Sequence, residues 1–153
     1  MSQAEALGFH GAQLHHIGVA SILHDVGKLF IPDEILSKPA ALTPEERRIM
    51  ETHALQGYRY LMENGRVPKL SVLSALEHHI KYDGSGYPHF KKGWQPSIVS
   101  QMVAIADVFD AMRSRRAYQG PRPLDIILGV LNKGKGSDFN PLLVNNFLKL
   151  IMR

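Results

Sequence analysis

Periodicity restricts this fold more than any other feature: apolar residues recur at helical spacing along the whole 153-residue chain, and no convincing stretch alternates as a half-buried strand would. The chain reads as all-α, a compact helical bundle with connections rich in Pro and Gly. A first helix is expected over about residues 12–26, stopping near Gly27. The clearest start is Leu42-Thr43-Pro44-Glu45-Glu46, where Thr43 is the N-cap, Pro44 fits the first turn and Glu46 completes a capping box; that helix should carry His53. A shorter helix over about 70–80 carries His78 and His79. Ser97 opens a fourth through Val103, Ala106, Phe109 and Met112, bearing Asp107 and Asp110. Leu124–Asn132 stops at Lys133-Gly134, and Asn140-Pro141 starts a last helix through Leu143, Phe147 and Ile151.

Composition narrows the chemistry. At 44% hydrophobic and 21% charged residues the chain can bury one core but not a second full one. No stretch approaches the roughly 18 apolar residues of a membrane span, and the N-terminus lacks a basic region followed by an apolar one, which gives a cytoplasmic reading. With no cysteine, a bound metal must be held by imidazole and carboxylate, donors that suit iron, manganese, zinc or nickel. A net charge of +4 and a pI near 9.4 favour anionic partners. The Lys and Arg residues are scattered, without the dense run of a nucleic-acid arm, so neither DNA nor RNA is expected as a partner.

The eight histidines are therefore the ligands to audit. His24-Asp25, His53, His78-His79 and Asp107 each lie on or at the end of a different expected helix, and helix bundles build metal sites from such inward-facing side chains. Four imidazoles and two carboxylates are about what two divalent ions need before water completes them, and an aspartate can bridge both. The helix "SIVSQMVAIADVFDAM" is otherwise strongly apolar, and an ionised Asp107 on it demands a cation nearby. His10, His15, His16 and His89 read as ordinary hydrogen-bonded residues. His16 lies two turns, about 12 Å, before His24, too far to share an ion.

Taken together, "LHDVGKLFIPDEILSKPAALTPEE", a single His in the next helix, "HHIKYDGSGYP" and "ADVFDAM" resemble the HD-GYP family, a branch of the HD superfamily of metal-dependent phosphohydrolases, over roughly residues 20–150. The resemblance implies a helical HD-type domain with a non-haem centre of two or more divalent transition-metal ions, iron or manganese, hydrolysing cyclic di-GMP. By motif match His24, Asp25, His53, His78, His79 and Asp107 would be the metal ligands. Asp25 would bridge the ions with the attacking hydroxide, and Lys28 would reach a phosphate oxygen or protonate the leaving group. Asp83, Gly84, Gly86, Tyr87, Asp110 and Arg116 would join Lys28 in binding substrate, Tyr87 by stacking on guanine and Arg116 by a bidentate contact. The Gly-Tyr-Pro surface would meet diguanylate cyclase (GGDEF) domains.

The match has departures. A helix with a further histidine upstream of His24 has no counterpart, so residues 1–153 are expected as a single domain lacking the family's first helix, with an apolar face that favours a homodimer. Ile80 stands where an acid orienting a ligand is usual. Arg115, Ala117 and Gln119 alter the segment around Arg116. These changes keep two alternatives in view: a non-catalytic sensor or adaptor, and a hydrolase of another nucleotide.

Overall fold

Helix α6 (Lys69–Glu77) sits at the centre because its sequence leaves almost no face for water. Ser71, Val72, Ser74, Ala75, Leu76 and Glu77 are all buried, and the small side chains among them let α2 (Ala12–Leu23) and α5 (His53–Asn64) pack close on it, with α7 (Ile98–Arg113) on a further side. The computed structural model describes residues 1–91, 93–114, 120 and 122–152. Among these, α1 (Ser2–Ala6), a 3-10 helix (Val26–Phe30), α3 (Asp33–Leu36), α4 (Pro44–Glu51), α8 (Leu124–Lys133) and α9 (Pro141–Ile151) complete an all-helical fold. One core cluster joins Ile17, Ala20, Val99, Val103, Ile105, Leu131, Leu143 and Val144 across α2, α7, α8 and α9; a second joins Leu61, Val72 and Ala75. No helix among the described residues is long and apolar enough to cross a membrane.

The local start signals are realised. Thr43 and Glu46 form the reciprocal capping box, Ser97 accepts from Ser100 N, and Asn140 accepts from Leu142 N.

The boundaries near the histidines differ from the sequence reading, each for a tertiary or hydrogen-bonding reason. The first long helix ends at Leu23 rather than 26, and the chain tightens into the 3-10 turn. Gly27 is there for close approach to α5: a Cβ on it would lie 1.9 Å from His53 O and 2.5 Å from Gly57 N. The helix begun at Thr43 breaks at Thr52, whose N and Oγ1 both reach Ile49 O (3.1 and 2.7 Å), so His53 opens a new helix. Helix α6 stops at Glu77, leaving His78 as its C-cap and His79 beyond it, because Ile80 N turns back to Glu77 O and Ile80 pairs with Gly86. Helices α1 and α3, of five and four residues, are too short to show a period.

After α6 the chain makes the turn 80–87, held by Lys81 N to Ser85 O and Tyr87 N to His79 O. This turn docks on the α8–α9 connection through Tyr82 N to Asp138 O, Asp83 N to Ser137 O and the Lys81–Asp138 ion pair at 2.7 Å. Gly86, at φ +90°, cannot carry a side chain, since a Cβ would sit 2.1 Å from His79 O.

Candidate metal centre

Three of the ligand-bearing histidines are aimed by main-chain carbonyls three or four residues upstream. His24 Nδ1 bonds Ser21 O at 2.7 Å, His53 Nδ1 bonds Met50 O at 2.7 Å, and His78 Nδ1 bonds Ser74 O at 2.9 Å. With Nδ1–H donating to a carbonyl, each ring turns its Nε2 inward. These nitrogens converge on Asp25, which the 3-10 turn delivers beneath α5. Asp25 Oδ1 is 3.4 Å from His53 Nε2 and 3.6 Å from His78 Nε2, while Oδ2 is 3.3 Å from His24 Nε2 and 2.5 Å from Lys28 Nζ. Asp107 reaches in from α7, its Oδ1 3.8 Å from His24 Nε2.

The electrostatics divide the cluster. Burial opposes a charged His24 ring, but Asp107 and Asp25 outweigh it and push its pKa up to about 10. Burial likewise favours neutral Asp25, yet His24, His78 and Lys28 hold that carboxyl far below the usual range. Asp107 is also held low, burial being outweighed by His24. His53 is pushed down to about 4, chiefly by burial, and His79 to about 2 by burial together with His78 and His53.

These residues fit a metal. Asp25 Oδ1 and His24 Nε2 are buried without a hydrogen-bond partner, and His53 Nε2 faces His78 Nε2 at 3.2 Å, lone pair to lone pair once both Nδ1 atoms donate elsewhere. Among the described residues two groups offer ligand atoms within 4.8 Å of one another: Asp25, His53, His78 and His79, and His24, Asp25 and Asp107. Both contain Asp25. This all-nitrogen-and-oxygen donor set is that of a divalent-metal site.

A cavity of about 440 Å³ opens over the cluster, lined by Lys28, His53, His79, Tyr87 and Asp107 and by an apolar wall of Leu36, Leu42, Met50, Val108, Ala111 and Met112. Tyr87 stacks on His79, centroids 4.5 Å apart and planes at 27°; burial raises its phenol pKa, keeping it neutral.

The structure thus brings together His24, Asp25, His53, His78, His79 and Asp107 as expected from sequence, with Lys28 and Tyr87 beside them. Other expected substrate contacts are placed away from the cavity lining. Asp83 is exposed and its Oδ1 accepts from Ser85 N at 2.9 Å, Gly84 and Gly86 shape the same turn, and exposed Asp110 accepts from Ser114 Oγ at 3.3 Å. Arg116, Arg115, Ala117 and Gln119 lie outside the described residues. Ile80 is a buried residue of the loop pairing, and the orienting partners of His24, His53 and His78 are main-chain carbonyls. Sequence reasoning missed Gly27, the apolar wall, and Glu77, which is 3% exposed and accepts from Ser97 N and Ser100 Oγ, both at 2.8 Å. Glu77 ends an apolar helix with no solvated face to take it, which was the available signal.

The family described as HD domain matches residues 1–143. The chain is similar to a cyclic di-GMP phosphodiesterase of Thermotoga maritima, 43% identical over 96% of this chain and 40% of that one. It is also similar to a 3'3'-cGAMP-specific phosphodiesterase of Vibrio cholerae, 40% identical over 95% of this chain and 28% of that one. The chain therefore spans well under half the length of these curated relatives. In fold it resembles the HDG"Y"P protein of Bdellovibrio bacteriovorus, with a TM-score of 0.78 and 13% identity over 99% of this chain and 48% of that one.

Proposed function

The chain belongs to the HD domain family, in its HD-GYP branch, and from that premise we propose that it is a metal-dependent phosphodiesterase that opens cyclic di-GMP to the linear dinucleotide. The observation that carries this reading is the pair of donor groups sharing Asp25 beside an apolar-walled cavity that His53, His79 and Asp107 line. Two ions, iron or manganese, would be held by Asp25, His53, His78 and His79 on one side and by His24, Asp25 and Asp107 on the other. Divalent ions held there would offset the charge on phosphodiester oxygens and lower the pKa of bound water towards about 7. The chain's own residues do the rest. Lys28, 2.5 Å from Asp25 Oδ2, keeps that carboxylate ionised and offers its ammonium to a phosphate oxygen or, as acid, to the leaving ribose oxygen. Tyr87 and the wall from Leu36 to Met112 seat the nucleoside and shield the reacting phosphate from bulk water. Arg116 is assigned a phosphate or guanine-edge contact on its motif position.

Incubating metal-loaded protein with cyclic di-GMP and separating the products by chromatography tests the reading. Linear dinucleotide is expected; intact cyclic di-GMP in the presence of bound metal contradicts hydrolysis and favours an adaptor for GGDEF domains. The similarity to a 3'3'-cGAMP-specific enzyme supports a second reading, in which the mixed cyclic dinucleotide is turned over faster than cyclic di-GMP in the same assay.

A further inference from the structure

A buried acidic side chain needs hydrogen-bond partners to replace water, and Glu77 is bonded to one place only among the described contacts, the first turn of α7. Its Oε2 accepts from Ser97 N and Ser100 Oγ, while Ser100 N donates to Ser97 Oγ at 3.1 Å. That turn carries main-chain N–H groups without helical partners and the positive end of the helix dipole, so the buried Glu77 oxygen completes its cap. Glu77 is also the last residue of α6, joined directly to His78. One side chain therefore ties the end of the helix that presents His78 to the start of the helix that presents Asp107. Two helical turns, about 10 Å, separate Ser100 from Asp107. A helix transmits an axial slip at its cap to every residue along it, and metal ligation tolerates only about 0.2 Å in its distances.

We propose, resting on the two-group metal centre above, that Glu77 is a positioning residue that sets the register of α7 against α6 and so the fit of Asp107 to the shared centre. It acts on the group containing Asp107 more than on the histidine-rich group, where His53 and His78 are aimed by the Met50 and Ser74 carbonyls.

The test is titration of wild type, Glu77→Ala, Glu77→Gln and Ser100→Ala with Mn²⁺ by electron paramagnetic resonance, on protein shown by circular dichroism to be folded. Glu77→Ala is expected to weaken Mn²⁺ binding about tenfold, the lower end of what loss of an outer partner does to a metal site. The weakened step should be the one that Asp107→Asn abolishes. Glu77→Gln, whose amide oxygen can accept from both donors, should restore most of the affinity. Should Glu77→Ala not fold, Ser100→Ala is read in its place, with a smaller weakening of the same step. Wild-type affinity in whichever of these two folded variants is read overturns the assignment, as does equal loss in both steps. Because the readout is metal binding, failure to hydrolyse cyclic di-GMP would overturn the preceding reading and leave this one standing. A wild-type chain that takes up no Mn²⁺ overturns both.

Discussion

The two donor groups that share Asp25 meet a cation in opposite states. In the histidine-rich group burial pushes His53 down to about 4 and His79 to about 2, so the nitrogens of these two rings are ready to bind at neutral pH. In the carboxylate-rich group Asp25 and Asp107 flank one ring and push His24 up to about 10, so that nitrogen carries a proton which an incoming metal must displace. The same cluster therefore contains one group with its charge unmet and another that has met it with a proton.

The largest effect should come from the residue common to both groups. Asp25→Asn is expected to weaken Mn²⁺ binding at both by more than the roughly 100-fold that loss of an outer partner can cost. His53→Ala should abolish binding only in the histidine-rich group, and Asp107→Asn only in the other. Elemental analysis and Mn²⁺ titration read these outcomes, and loss of both steps in His53→Ala would break the division. Next comes the backbone contact that delivers Asp25 beneath α5. Gly27→Ala places a Cβ against His53 O and should lower unfolding free energy by about 3 kcal/mol, seen in urea denaturation.

Protonation gives a smaller effect that sharpens the contrast. His53 and His79 have folded pKa values below the ordinary 6.5, so their contribution to metal-free stability is complete above 6.5 and is lost as pH falls towards about 4 and about 2. His24 has a raised value, so its contribution is complete below 6.5 and is lost as pH rises through about 10. Metal-free protein should then melt lower at pH 5 than at pH 7, and lower again above pH 10. Calorimetry in buffers of different ionisation enthalpy at pH 8 should show about one proton released on Mn²⁺ loading, a release missing from His24→Ala. The smallest effects belong to Asp83→Asn and Asp110→Asn, both exposed and off the cavity, each expected within about 0.5 kcal/mol of wild type in stability and with unchanged Mn²⁺ affinity.

What could be read from sequence was the chemistry that is local in the chain. The Thr43–Glu46 capping box and the caps at Ser97 and Asn140 are decided by residues within three positions of one another. The six ligand candidates stood out because imidazoles and carboxylates on apolar helices have few other uses. What escaped depends on residues remote in sequence. Gly27 reads as a helix stop until α5 is packed against it, and Thr52 continues a helical pattern that its own hydroxyl interrupts. Glu77 ends an apolar helix, but nothing near it in sequence points to Ser97 and Ser100 of α7 as its partners. At the turn 81–86 the structure adds the hydrogen bonds from Tyr82 N and Asp83 N to the α8–α9 connection, which tie it to residues remote in sequence.

The shared role of Asp25 is tested most directly by a crystal structure of manganese-reconstituted protein with anomalous diffraction at the metal edge. Two anomalous peaks are expected, one ligated by Asp25, His53, His78 and His79 and the other by His24, Asp25 and Asp107, with both lost in Asp25→Asn. A single peak that does not touch Asp25, or none in fully loaded crystals, would contradict it.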